Sequence, residues 1–302
     1  MSISFNGQVV IVTGAGAGLG RSHALQFAAK GAKVVVNDLG GGAGGSSAAA
    51  EAVVKEIRDA GGEAIANGAD VSDFSAVEAM VAETMKTWGR VDVLVANAGI
   101  LRDKSFAKME MPDFEKVIDV HLIGTANCAR AVWPVMRDQN YGRLVFTTSS
   151  SGMYGNFGQA NYGAAKAGMI GLMNVLQIEG EKYNITVNTL SPTAVTQMTE
   201  KLFSDAEKEL LTPESISPGV LFLASKDGPK RTILCAGGGC FARTYLFETE
   251  GVILTGDDLT PEGVAAKFDE ISSMDGAKAL QGAFEQTHKY AAKAIAAHGV
   301  KE

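Results

Sequence analysis

The chain has 302 residues, 46% of them hydrophobic and 20% charged, with a net charge of −7 and a pI near 5.3. This is enough apolar material for a sizeable core, and the acidic balance argues against a nucleic-acid partner, which needs a basic face to displace counterions. Cys128, Cys235 and Cys240 form no CxxC pair and have no histidine ligands nearby, so neither a disulfide framework nor a metal site is expected.

The first eight residues carry no basic or apolar leader, and no apolar run approaches the ~20 residues that span a bilayer. The last residues form no targeting signal. A cytoplasmic protein without a membrane partner is the expectation. A β-branched run at 9–13 reads as a buried strand and leads directly into Gly14, Gly16, Gly18 and Gly20, after which a helix spans 19–30. Helix N-termini present free N–H groups and partial positive charge, and glycines let a pyrophosphate approach them. A second strand at 33–37 ends on Asp38, placed to accept both hydroxyls of an adenosine ribose and to repel a 2′-phosphate. NAD is therefore expected rather than NADP.

The glycine run at 40–45 reads as a loop before a helix at 47–60. A strand at 64–67, a helix at 73–88, a strand at 91–96, a helix at 112–138, a strand at 143–148, a helix at 160–183 and a strand at 185–190 follow. Continuous apolar strands alternating with helices imply α/β architecture, a doubly wound parallel sheet of the Rossmann type. Residues 1–255 read as one NAD-binding domain that includes the catalytic site. Residues 256–302 read as a helical C-terminal extension of it, with helices at 261–269 and 277–297 that pack on their own domain or cover an active site or a partner subunit.

Tyr162 and Lys166 stand four apart in one helix and share a face. A free tyrosine is a poor base at neutral pH, and an adjacent ammonium favours its phenolate. Ser149 ends the preceding strand thirteen residues before Tyr162.

The spacing Thr13-Gly14-x-x-x-Gly18-Leu19-Gly20, the acid Asp38, Asn97-Ala98-Gly99 after the fourth strand, and Ser149, Tyr162 and Lys166 together resemble the short-chain dehydrogenase/reductase family. The resemblance implies that Asp70 and Val71 contact the adenine and that Asn97, Ala98 and Gly99 line the cofactor cleft. It also implies that Tyr162 exchanges the hydroxyl proton, that Lys166 lowers the Tyr162 pKa and binds the nicotinamide ribose, and that Ser149 orients the substrate oxygen. Two positions depart from the pattern. His121 stands where many relatives have a relay asparagine, which makes it a candidate either for the relay or for simple packing. Pro192-Thr193 stands where many have Pro-Gly.

Asn37-Asp38-Leu39-Gly40-Gly41, 155–162, His121-Leu122-x-Gly124 and Met198-Thr199-Glu200 are similar to the (3R)-hydroxyacyl-CoA dehydrogenase domain of peroxisomal multifunctional enzymes of type 2. The implied activity is oxidation of a (3R)-hydroxyacyl-CoA by a stand-alone, bacterial-type enzyme. A hydroxysteroid (17β-type) dehydrogenase, a 3-oxoacyl-carrier-protein reductase and, outside enzymes, a silent NAD-binding sensor are the alternatives. Arg102, Lys104 and Lys108 form either a solvated loop or a contact for CoA phosphates. The family implies a homo-oligomer, a dimer or tetramer, built on the helices at 112–138 and 160–183.

Overall fold

A computed structural model describes residues 2–40, 48–195 and 204–300. Part of the glycine run, Ser47 and the segment at 198–200 lie outside the described residues. The chain forms two compact units, residues 1–243 and 244–302; the second begins within the stretch that the sequence assigns to the first domain.

The first unit is built on strands β1 (Val9–Thr13), β2 (Lys33–Asn37), β3 (Glu63–Asn67), β4 (Val93–Ala96), β5 (Gly142–Thr147), β6 (Ile185–Thr193), β7 (Ile233–Gly237) and β8 (Cys240–Thr244). Their order in the sheet is β3-β2-β1-β4-β5-β6-β7-β8, with β1 to β7 parallel. The expected doubly wound sheet is present. Its strand order reverses between β1 and β4, and at such a switch point the carboxyl ends of the strands splay into a crevice.

Helices α1 (Gly18–Ala29), α2 (Ala48–Asp59), α3 (Phe74–Trp88), α4 (Met111–Ile118), α5 (Gly124–Gln139), α6 (Ser150–Tyr154), α7 (Ala160–Gly180), α8 (Asp205–Leu210) and α9 (Ser217–Ala224) connect the strands. Strand alternation divides the core in two. Val10, Val12, Val34 and Val36 meet α1, α2 and α9, and Ile11, Val35, Leu94 and Leu144 meet α3, α5 and α7 on the other face. Local chemistry sets the ends: the Asp73 carboxylate accepts from the N–H groups of Ser75 and Ala76 to start α3.

The single helix expected at 112–138 is interrupted. A π-helical turn, Asp119–Ile123, separates α4 from α5 and carries His121. Residues 150–154, to which the sequence assigns no element, form α6, capped by the Ser149 hydroxyl, which accepts from the Ser151 N–H.

The second unit holds α10 (Pro261–Ala266), α11 (Phe268–Ile271) and α12 (Ala283–His298). α12 starts later than the sequence suggests because Lys278 is paired in an antiparallel bridge with Glu248. None of this unit's described residues is buried.

Candidate active site

The crevice is closed at its base by side chains from both sides of the switch point. Thr13 Oγ1 accepts from the N–H groups of Asn97 (3.0 Å) and Ala98 (3.1 Å), and Asn97 Nδ2 donates to the carbonyls of Thr13 (3.1 Å) and Gly14 (3.2 Å). The loop from Gly14 to Gly20 lies over this base. A Cβ at Gly20 would collide with the Gly14 carbonyl, so the turn closes only around glycine. The helix α1 then begins at Ala17–Gly18 with no side-chain cap, leaving its first N–H groups to a ligand.

Asp38 reaches into this loop from the end of β2. Its Oδ2 accepts from the Gly16 N–H and its Oδ1 from the Gly40 N–H, both at 2.9 Å. Asp70, at the end of β3, is partly buried; two hydrogen bonds from Ser72 and the charge of Lys116 outweigh that burial and hold its carboxyl below the ordinary range. The Val71 carbonyl accepts from Asn127 Nδ2 at 2.9 Å, which ties this corner to α5. An uncapped helix start, a glycine cradle and a carboxylate at the end of β2 together fit a dinucleotide.

The second half of the site lies beyond β4 and β5. Tyr162 sits in the first turn of α7, and the Ser149 hydroxyl is near enough to favour its phenolate. Lys166, one turn on, is buried and donates through Nζ to the Thr147 carbonyl at 2.5 Å, with Nζ 5.4 Å from the Tyr162 ring centroid. Burial pushes the Lys166 ammonium down to about 7. The Tyr162 phenol is raised above its ordinary value by burial first and by the charge of Asp103, with the Ser149 hydrogen bond opposing. The sequence suggested that Lys166 would depress the phenol. The phenol is instead raised, chiefly by burial, and the Lys166 ammonium is directed at the Thr147 carbonyl.

His121 projects from the π turn against Tyr162, the two rings edge to face with centroids 5.1 Å apart. Its Nε2 lies 2.9 Å from the Ile100 nitrogen and 2.7 Å from the Ile100 oxygen, and Nδ1 has no hydrogen-bond partner among the described residues. Burial, then the charge of Lys166, pushes the imidazole down to about 3, so it is neutral. The ring lies over Gly99, where any Cβ would strike it.

Arg102 and Lys104 both face Asp113, at 3.7 and 3.4 Å, in exposed pairs that salt screens. Thr193 is paired with Gly237, whose lack of a side chain makes room for the threonine that replaces glycine. Sequence reading missed the Thr147 carbonyl on Lys166, and Asp103, Gln159 and Asn161 around Tyr162. Backbone acceptors leave no residue signature, and the polar trio is visible only as loop composition.

A family described as short chain dehydrogenase matches residues 8–207. The chain belongs to this family. As a short-chain dehydrogenase it is an oxidoreductase acting on CH–OH groups. It is 46% identical to a short-chain type dehydrogenase/reductase of Mycobacterium tuberculosis, over 90% of this chain and 96% of that protein. The structure of full-length peroxisomal multifunctional enzyme type 2 from Drosophila melanogaster superposes with a TM-score of 0.81 at 37% identity, covering 97% of this chain and 50% of that one. The short-chain dehydrogenase thus spans about half the length of that enzyme. A 7α-hydroxysteroid dehydrogenase complexed with NADH and 7-oxo glycochenodeoxycholic acid matches with a TM-score of 0.71 at 30% identity, covering 78% of this chain and 95% of that chain.

Proposed function

We propose that the protein oxidises a (3R)-hydroxyacyl-CoA to the 3-oxoacyl-CoA with NAD. The placement of Tyr162 and Lys166 one turn apart on α7, with Lys166 Nζ 5.4 Å from the Tyr162 ring centroid and Ser149 at the end of β5 beside them, is the observation that carries the reaction type. The likeness to peroxisomal multifunctional enzyme type 2 supports the acyl-CoA. Asp38 supports NAD: its carboxylate faces the loop where a ribose would lie, and a 2′-phosphate there would meet a like charge.

Bound nicotinamide supplies the hydride acceptor. Thr13, Gly14, Gly18, Leu19, Gly20, Asp38, Asp70, Val71, Asn97, Ala98 and Gly99 would hold the dinucleotide, with Tyr162 and Lys166 on its nicotinamide side. Ser149 donates to the substrate oxygen and orients it. Tyr162 takes the hydroxyl proton during oxidation and returns it during reduction. Lys166 favours the phenolate when its ammonium turns from the Thr147 carbonyl toward Tyr162. His121 supports the relay as a neutral group whose Nδ1 is left to accept or donate.

A hydroxysteroid substrate is the second reading, favoured by the likeness to the 7α-hydroxysteroid dehydrogenase. We read the protein as a cytoplasmic homodimer or tetramer joined through α5 and α7. The exposure of Val175 and Ile178 on α7 supports that face.

The test is NADH formation from a (3R)-hydroxyacyl-CoA series, with the (3S) isomers, 17β-hydroxysteroids and NADP alongside. Turnover confined to NAD and (3R)-acyl-CoAs supports the assignment. Turnover with steroids alone keeps the chemistry of Tyr162 and discards the acyl-CoA.

A further inference from the structure

Two segments that flank Tyr162 are zipped together by three consecutive residues. The Arg102 carbonyl accepts from Asn161 Nδ2 at 3.1 Å, the Asp103 carboxylate accepts from Gln159 Nε2 at 2.8 Å, and the Lys104 N–H donates to the Gly158 carbonyl at 3.0 Å. Gln159 is the hub. Its Oε1 accepts from Ser151 Oγ at 2.8 Å and from Asn156 Nδ2 at 3.0 Å. A flipped amide would set its nitrogen against the Asn156 donor and its oxygen against a carboxylate, so Nε2 is directed at Asp103.

The clamp is anchored in the catalytic helix. Asn161 is fully buried, and its Oδ1 accepts from the Tyr162 N–H at 2.7 Å. The cations on either side of Asp103, Arg102 and Lys104, pair with Asp113. Among the described residues, Lys166 from α7, neutral His121 from the π turn and Ser149 from the end of β5 adjoin Tyr162, and the clamp holds the Asp103 carboxylate on Gln159, three residues before Tyr162. Asp103 is the anion among them.

We propose that Asp103, aimed by Gln159, is a positioning residue of the proton-transfer site, an anion held beside the first turn of α7 that raises the pH above which the alcohol is oxidised. This rests on Tyr162 as the proton-transfer group and is independent of which alcohol is the substrate. A nearby anion disfavours phenolate, so it keeps the hydroxyl proton in place and favours the ketone-reducing state of the site. Because Asp103 is exposed, its influence passes partly through solvent and yields to salt.

The informative variant is Asp103→Asn, which keeps an oxygen for Gln159 Nε2 and removes the charge. Its kcat for NADH formation is measured against pH at saturating substrates. The acidic limb of the oxidation profile moves to lower pH, so that turnover below the wild-type midpoint rises about two- to five-fold. About 1 M salt moves the wild type in the same direction and leaves Asp103→Asn nearly unmoved. Gln159→Leu, which releases the carboxylate, gives an intermediate profile. Absorbance titration of tyrosinate, with Tyr162→Phe to isolate the Tyr162 contribution, reads the same change without turnover. Superimposable profiles and tyrosinate titrations for wild type and Asp103→Asn overturn the proposal. If Asp103→Asn does not fold, a wild-type midpoint that ignores salt overturns it. Turnover retained in Tyr162→Phe removes the underlying reading of Tyr162 instead, and the tyrosinate titration still decides Asp103.

Discussion

The two halves of the crevice are made of different material. Around the glycine loop nearly every group that faces the cofactor space is backbone, closed by Thr13 and Asn97, and the feature that matters is the absence of side chains. Around Tyr162 the groups are titratable side chains whose protonation is set by burial: Lys166 is lowered to about 7, Tyr162 is raised and His121 is neutral. Each half also buries one histidine with one unpartnered nitrogen. His23 of α1 leans on Ser217 at 2.7 Å, and His121 leans on the Ile100 backbone. The second also packs edge to face against the Tyr162 ring. The first half is thus written in shape, and the second in desolvation.

Removing only the hydroxyl, in Tyr162→Phe, separates the halves most sharply. Turnover should fall about a thousand-fold while NADH affinity, read by fluorescence, stays within about two-fold. Loss of both would show that the halves are not separable. Asp38→Ala should raise kcat/KM for NADP relative to NAD by about 10- to 100-fold, since a like charge is removed from the ribose site; an unchanged ratio breaks the assignment of that corner. His121→Ala should lower kcat by about ten-fold with only a modest loss of Tm, whereas His23→Ala should lower Tm and leave kcat unchanged. Equal kinetic effects would erase the distinction between the histidines.

The histidines also set a pH dependence of stability. Both histidines have folded values of about 3, below the ordinary 6.5, so the unfolded chain binds more protons between those limits. Stability is therefore present above pH 6.5 and lost as pH falls toward 3, by on the order of a few kcal/mol for each histidine. Denaturant midpoints measured across that range should decline, and His23→Gln should flatten part of the decline.

The backbone-written half was the more legible in sequence. Thr13, the glycines, Asp38 and Asn97 sit at strand ends because β-branched runs mark the strands, and the order of the sheet follows from right-handed crossovers. Tyr162, Lys166 and Ser149 were also legible as a set, since a four-residue spacing on a helix and a strand end define their placement. Their protonation was not. Spacing puts a lysine near a tyrosine but says nothing of the water excluded from both or of the Thr147 carbonyl that Lys166 finds. The π turn was likewise hidden, because one extra residue in a helix leaves the apolar pattern of 112–138 almost unchanged. β7 and β8 went unread because glycines and cysteines replace the expected β-branched residues there.

The second unit has no buried described residue and is held by charge. Lys289 bonds Glu248, Lys293 bonds Glu250 at 2.8 Å and also the Gly251 carbonyl, and Thr249 donates to the Ile271 carbonyl. A segment built this way buries little of its apolar surface and so gains little heat capacity on opening. Its amides should exchange with solvent deuterium early, on a schedule set by ionic strength rather than by temperature. The sheet amides, by contrast, should report the global stability of their own unit.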